Sequence, residues 1–474
     1  MDIYQSRPAR RRLGLTVSPV AAFVALSLVF GSLIIIVAPP LRGPDETAHF
    51  LRAYGIAQGD FVPSASDAQG RKGVFLPARL YHGFAFFEAT QVKEKGEGWM
   101  GYAAVFKDYF SRPPAVIAPD APAVFVPYAG SEGYSPVAYL PQAAAALVAR
   151  VFDLEFLSTF YLMRFAGLAA MTAIIAYAMG IAAPLAWTLI AIAMLPAAIY
   201  GRSVINADGS ALACAIVVTA LCLRAVMSRL HLPSQTACWM TLNALTKPTN
   251  VALVLLGLIS PARQTGWARR ALMIMPAVAL ALLWTLQSGA DTATWRMVEI
   301  TGLQASAFDP LAKLLALLHQ PLRFPAAMFG TFSPEHFAGL WRQLIGILGL
   351  FDTVLQDWVY PAVSVLLLGT FFTQVPLTPA ERARVAIVTA ITLCGYTVAV
   401  YLVCYLVFTP ADADIVWGVQ GRYFVPLLPV VAILLSALVN YGPDERLRAA
   451  LAIACAVLSG GASIQAILET DWHI

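Results

Sequence analysis

The chain has 474 residues, of which 59% are hydrophobic and only 12% charged, with a mean hydropathy of +0.71. A soluble domain carries about 25% charged residues, so the composition excludes a soluble globular protein and predicts a polytopic membrane protein. The net charge of +4 gives no support for a nucleic-acid partner; the basic residues fall instead in short segments between apolar runs.

Arg7, Arg10, Arg11 and Arg12 precede the first apolar run, Pro19 to Ala38, which is long enough to span a bilayer. The run is longer than a signal-peptide core and ends without a small-residue cleavage site. It therefore reads as an uncleaved span with its basic end in the cytoplasm. The apolar runs together predict about eleven spans: 18–38, 157–180, 183–200, 209–227, 235–246, 248–259, 271–289, 358–375, 385–408, 423–440 and 449–468. With the N-terminus inside, Arg224/Arg229, Arg263/Arg269/Arg270, Arg382/Arg384 and Arg446/Arg448 all fall on the cytoplasmic side. Two long loops, 39–156 and 290–357, fall on the outer side. This parity requires that Tyr134 to Val151, with two prolines and an interior Gln142, does not cross. Runs 235–246 and 248–259 are each too short to span as straight helices. They predict a broken hairpin or one kinked helix around Lys247-Pro248.

The first outer loop is expected to form short helices and irregular structure, with a charged patch at Lys93-Glu94-Lys95-Gly96-Glu97. The second carries amphipathic stretches, Leu311 to Phe332 and Glu335 to Leu350, which suit an interface rather than a span. The six cysteines lie in or beside apolar runs, with no metal or disulfide spacing. They read as small packing residues.

Charged residues close to a membrane surface mark polar cavities or reaction sites, because burying them is costly. Directly after the first span comes Pro44-Asp45-Glu46-Thr47-Ala48-His49-Phe50-Leu51-Arg52. Asp45 or Glu46 can act as a general base, accepting a hydroxyl proton during attack. On a helix His49 and Arg52 share their face. The bland alternative is that Asp45 caps the helix. Asn206-Ala207-Asp208-Gly209 opens a later span after Arg202, where Asp208 either binds a divalent metal or an acceptor, or is an N-cap. Gln420-Gly421-Arg422-Tyr423 enters the tenth span. Arginine there either grips a lipid phosphate through paired charge-assisted bonds or snorkels in an aromatic belt. Asp412 and Asp414 are candidate partners for it. Lys247 is either an interfacial residue or a buried cation with an anionic partner. Glu335, His336 and Arg323 read as solvated. No nucleotide-binding or metalloprotease pattern occurs in a supporting context.

Several of these motifs coincide with those of a bacterial polytopic membrane family of unknown function. Pro39-Pro40 to His49, which looks like a Pro-x-Asp-Glu-x-x-His start, Tyr134-Ser-Pro-x-x-Tyr-x-Pro-Gln142, Arg202-x-x-x-Asn-x-Asp-Gly209, Lys247-Pro248 and Gln420-Gly-Arg-Tyr-x-x-Pro426 resemble its landmarks in order, over about residues 20–440. That family is similar to the GT-C glycosyltransferases, which take sugars from polyprenyl-phosphate or polyprenyl-diphosphate carriers on the outer membrane face. The resemblance implies an all-α polytopic fold with juxtamembrane helices in two large outer loops. It implies one membrane module over 1–440, with a C-terminal span in 441–474. It further implies a catalytic acid at Asp45, with Glu46 as the close alternative, and a second acid at Asp208. His49, Arg52, Arg202, Asn206, Lys247, Gln420, Arg422 and Tyr423 would bind substrate or its phosphate. Asn206-x-Asp208 lacks the first acid of an Asp-x-Asp metal motif, so a divalent metal is only an option.

The expected activity is transfer of a sugar from a polyprenyl-linked donor to a cell-envelope glycan or protein acceptor at the bacterial cytoplasmic membrane. The alternatives are a transporter or flippase for a lipid-linked or anionic solute, or an O-antigen-type polymerase. The two long outer loops and the lack of an internal repeat favour the enzyme over the transporter.

Overall fold

A computed structural model of the chain describes residues 18–91, 101–112, 118, 121–228, 232–260, 266–288 and 291–474. Arg7 to Arg12, the 93–97 patch, Arg229 and Arg263 lie outside these residues. The described chain is mostly helical, and among its residues strands occur only as two small antiparallel pairs.

Among the described residues, seven helices are long and apolar enough to cross a bilayer. They are α1 (Pro19–Val37), α6 (Phe156–Ile181), α9 (Asp208–Met227), α11 (Trp267–Ser288), α17 (Pro379–Val407), the segment Gly421–Val439 and α19 with its terminal π turn (Glu445–Trp472). The chain is thus a multi-pass membrane protein. The expected eleven spans reduce to these seven, plus one broken pair and three shorter pieces. In place of a straight helix over 183–200, Ala183–Ala193 and Pro196–Ser203 meet at 78°. The helical parts of this pair are α7 (Ala186–Ala193) and α8 (Pro196–Ser203). Pro196 starts α8, where a proline has no helical donor to lose. Arg202 caps the other side of the break, donating to the Ala193 carbonyl at the end of α7 (2.7 Å).

The second break follows from Pro248, which disfavours helix at the preceding residue. Lys247 is extended (φ −154°, ψ 133°) between α10 (Pro233–Thr246) and a 3-10 segment, Pro248–Leu258. The two arms are joined at the break by amides. Asn250 donates to Asn243 Oδ1 (2.9 Å), and Asn243 donates back to the Asn250 carbonyl (3.1 Å). The remaining short piece is α16 (Val359–Phe371).

Two hydrophobic cores share the molecule. The larger fills the bundle around α9, most of which is buried. The smaller is built by the first long loop, from α2 (Glu46–Ala57), α3 (Ala78–Ala89), α4 (Gly101–Ser111) and α5 (Leu140–Val151) with the start of α6. An aromatic knot of Phe50, Phe84, Phe87, Phe156 and Phe160 lies at its centre, with ring centroids 5.4–6.1 Å apart. This loop also holds a two-stranded sheet the sequence did not announce: β1 (Gly73–Leu76) pairs β2 (Val124–Pro127). Gly73 permits it, because a Cβ there would lie 2.3 Å from the Val126 carbonyl. Residues 134–151 form a 3-10 turn, Pro136–Tyr139, and then α5. Twelve residues reach about 18 Å, short of a hydrocarbon core of about 30 Å, and α5 packs on α2 and α6.

The second loop supplies α12 (Asp291–Thr301), α13 (Pro310–His319), α14 (Arg323–Gly330) and α15 (Pro334–Gly346). A tight hairpin follows, β3 (Ile347–Leu348) and β4 (Thr353–Val354). The C-terminal helix packs on α1 as part of the same body. Gly460 sets that contact: a Cβ there would lie 2.3 Å from the Phe30 ring, whereas one at Gly461 would meet nothing within 4 Å. Gly460→Val is expected to cost about 1–3 kcal/mol through overpacking, read as a lower unfolding temperature in detergent. Gly461→Ala should leave that temperature unchanged or raise it.

Candidate functional site

The loop between α1 and α2 is shaped by backbone constraints. Leu41 and Asp45 both adopt left-handed backbone (φ 63° and 54°). Gly43 lies against Val204, where a Cβ would approach to 2.9 Å. Asp45 precedes α2, but its side chain makes no cap bond. It turns instead toward two guanidiniums: Oδ1 is 2.8 Å from Arg296 and Oδ2 is 3.2 Å from Arg422. Left-handed backbone at a non-glycine residue is costly and persists where the surroundings impose it.

Asp208 follows the same logic at the start of α9. The cap there is made by Asn206, whose Oδ1 accepts from the backbone N–H of Asp208 (2.9 Å) and Gly209 (3.2 Å). The Asp208 carboxylate is thereby free for ion pairs, one with Lys247 and one with Arg422 (3.2 Å). Arg422 stands between the two acids. Its Nε donates to Gln420 (2.7 Å), and its plane lies over Phe351, 4.9 Å from the ring centre. Lys247 sits 4.2 Å above the Tyr423 ring. Tyr396 joins both segments, its one hydroxyl proton shared between Asn250 Oδ1 (2.9 Å) and the Tyr423 carbonyl (3.0 Å).

Five charges therefore alternate in one row: Arg296, Asp45, Arg422, Asp208, Lys247. His49 lies beside it, its Nδ1 2.5 Å from the Tyr139 hydroxyl and its ring edge-on to Tyr134 (5.3 Å). Ser131 ties this aromatic segment to α2 through the Ala48 carbonyl, and Ser210 ties it to α9 through the Ala138 carbonyl. A cavity of about 30 Å³ opens against Asp208 and Arg422, walled by Pro44, Tyr200, Gly201, Asn206 and Leu348. That is room for one or two waters, so a sugar enters only if the wall moves.

The electrostatics outside the spans follow from burial and this row. Burial opposes ionisation of Asp45, but Arg422 and Arg296 outweigh it and hold the carboxyl well below the usual range. Burial also pushes His49 down to about 4, against the pull of Asp45 and Asp208. His49 is therefore neutral at pH 7 and cannot bind phosphate as a cation. Tyr134 is pushed above the usual phenol range by burial and by the nearby Asp208.

Of the catalytic and binding candidates read from the sequence, Asp45, His49, Asp208, Lys247, Gln420, Arg422 and Tyr423 gather here, with Asn206 in the wall. Three do not. Glu46 is fully buried and saturated. It receives the Arg164 fork (2.9 and 2.7 Å) and the backbone N–H of Ile205 (2.8 Å) and Gly43 (2.9 Å). With all its acceptor sites filled it is a structural pin, not a base. Arg52 is spent on the carbonyls of Asp60 (2.8 Å) and Phe61 (2.7 Å), bracing the loop after α2. Arg202 points into the bundle, toward Ser27 (2.7 Å) and the break after α7. Asp412 and Asp414 are exposed, and Arg422 pairs with neither. His336 bonds Tyr401 (2.8 Å) and Arg323 the Ala411 carbonyl, both apart from the row.

The donor set does not fit a divalent ion. Each acid is already paired with two cations, and among the described residues no three His, Cys, Asp or Glu side chains gather.

Sequence reading missed Arg296, Tyr134 and Arg164. Arg164 carried a usable signal, since an arginine inside a predicted span requires a buried partner. Arg296, in the second long loop, carried none.

Glu46→Gln leaves the buried Arg164 charge without its counterion. It should cost about 3–5 kcal/mol in a detergent unfolding assay, whereas Asp45→Asn leaves the fold intact. Acid should act through His49. Its folded pKa lies below the unfolded value of about 6.5, so the unfolded chain binds the proton first. Stability should fall as pH drops from about 6.5 to about 4, by up to about 3 kcal/mol, and His49→Gln should flatten that limb.

No curated protein and no solved structure matches the chain. The family described as "Predicted membrane protein (DUF2142)" matches residues 28–431, most of its length. The motif-bearing segments that build the charged row all lie within that match, and the chain belongs to this membrane family.

Proposed function

We propose that this protein is an integral-membrane glycosyltransferase of GT-C type. It moves a sugar from a polyprenyl-phosphate or polyprenyl-diphosphate carrier to a cell-envelope acceptor at the outer face of the cytoplasmic membrane. The observation that carries the reading is the convergence of Asp45, Asp208, Lys247 and Arg422, from four distant segments, in one charged row, with Asp208 and Arg422 against a cavity. The N-terminus then lies in the cytoplasm and both long loops outside.

In this reading the acceptor oxygen attacks the anomeric carbon from the face opposite the carrier, with inversion. The bond between that carbon and the phosphate oxygen breaks, and the electron pair leaves with the phosphate. Arg422 and Lys247 stabilise the departing charge, a term that counts most in a water-poor site. Asp45 accepts the acceptor's proton. Paired with two guanidiniums it is a weak base; a phosphate that draws either guanidinium away restores its basicity. Enclosure of both substrates supplies the proximity term.

Breaks after α7 and at Lys247 are features shared with transporters, so transport is the second reading. Radiolabelled sugar transfer from polyprenyl-linked donors in proteoliposomes separates the two. Transfer is expected, and Asp45→Asn should reduce it by at least about 100-fold, the usual scale for a lost general base, with expression unchanged. Movement of the intact lipid without transfer would favour the transporter. Because the neighbouring arginines keep Asp45 ionised, the rate should show no acid limb from Asp45 above the ordinary carboxylate value of about 3.9.

A further inference from the structure

The cavity beside Asp208 and Arg422 holds about 30 Å³, so anything larger than water enters only when a wall moves. Much of its lining belongs to bundle elements: Ala197 and Ala198 on α8, Leu212 on α9, and Val425 and Pro426 leading into the Gly421–Val439 span. Ile347 and Leu348 are different. They form β3 of a hairpin whose strands have two residues each.

The base of that hairpin is clamped. The Tyr360 hydroxyl donates to the Gly346 carbonyl (3.1 Å) and accepts from the Leu355 backbone N–H (3.2 Å). The tip is bent by left-handed backbone at Gly349 and Phe351 (φ 62° and 68°). Such backbone at a phenylalanine persists only where contacts impose it. Two contacts do so: Phe351 lies against the Arg422 guanidinium, and Asp352 reaches Arg42. Asp352 divides its oxygens. Oδ1 accepts the Leu350 N–H within the tip (3.0 Å), and Oδ2 accepts from Arg42 (2.5 Å). Breaking the second bond leaves the bond within the tip intact.

Arg42 is fixed independently of the hairpin. Its carbonyl accepts from the Tyr200 hydroxyl (3.1 Å), and its Nη2 also meets Asp471 (3.0 Å). Trp472, the next residue, donates to the Val37 carbonyl (2.7 Å) and stacks on Phe106 of α4 (5.8 Å). The two acids differ in burial, Asp471 at 2% side-chain exposure and Asp352 at 19%. An arginine sealed from water cannot cheaply lose its last counterion. Arg42 keeps Asp471 when Asp352 leaves, and a released Asp352 has water within reach. One partner is permanent and the other releasable.

We propose that the β3–β4 hairpin is the moving wall of the site, and that the Arg42–Asp352 ion pair is the latch that holds it shut. Arg42 and Asp352 are positioning residues: released, the hairpin swings on the Tyr360 clamp, lifts Phe351 off Arg422 and withdraws Leu348 from the cavity. The latch goes beyond the transferase reading and does not depend on it, since a transporter's site needs an entrance too.

The test is thiol labelling of the full chain in proteoliposomes with a small charged methanethiosulfonate reagent, read cysteine by cysteine by peptide mass spectrometry. The reporters are Ala198→Cys and, in a second chain, Ala197→Cys, both in the cavity wall. Native Cys214 and Cys222, buried in α9, report general loosening. With the latch unaltered the reporters should label slowly. Asp352→Asn should speed them at least about tenfold, the scale of one hydrogen bond to a charged group, with Asp352→Glu falling between and Cys214 and Cys222 unlabelled. Asp471→Asn should lower the unfolding temperature more than Asp352→Asn does, and the reverse order overturns the division of roles. Reporter rates unchanged by Asp352→Asn, or raised together with those of Cys214 and Cys222, overturn the latch and leave the transferase reading standing. Fast labelling with the latch unaltered shows a cavity already open and overturns it as well.

Discussion

A guanidinium offers five N–H donors in one plane and accepts nothing. Arg422 places that plane between Asp45 and Asp208, with Gln420 on its third edge and Phe351 beneath. The organisation of the site depends on this one group. It joins the loop after the first span, the start of α9 and the segment leading into the Gly421–Val439 span. Without it the two carboxylates would lose a shared counterion. The left-handed backbone at Asp45 would lose one of the contacts that hold it.

Around that group the fold separates support from chemistry by how completely each charge is satisfied. Glu46 and Asp45 are neighbours in sequence, yet one is sealed by Arg164 and two backbone donors while the other joins the partly exposed charged row. Arg52 and Arg202 are likewise consumed by carbonyls and hydroxyls. Such groups hold breaks and loops in place where backbone would otherwise lack partners. Arg202 caps the broken helix α7, and Arg52 fastens the turn after α2. The residues left partly open are those of the charged row.

The two long loops do more than cover the bundle. The first has its own aromatic core and presents His49, Tyr134 and Tyr139 to the row. The second brings Arg296, Phe351 and Leu348 from the opposite direction. The cavity is thus walled by both loops as well as by α8 and α9. Its small volume follows from how closely these walls meet, and admission of a larger ligand requires one of them to shift.

Hydrophobic run length and charge placement by themselves determined the membrane class and seven of the spanning helices. They also located the segments that carry Asp45, Asp208, Lys247 and Arg422, because an isolated charge beside an apolar run is legible without coordinates. The Pro248 break was legible too, since proline acts on its immediate neighbour. Only the tertiary structure decided which of two adjacent acids is a pin and which joins the charged row. That depends on Arg164, 118 positions away from Glu46. It likewise decided that Asn206 rather than Asp208 caps α9, that the 183–200 run breaks, and that Arg296 belongs to the row. Local patterns report on neighbours within a turn or two of chain. Which distant donor satisfies which acceptor is settled by packing, and in this protein that pairing separates a structural ion from a chemical one.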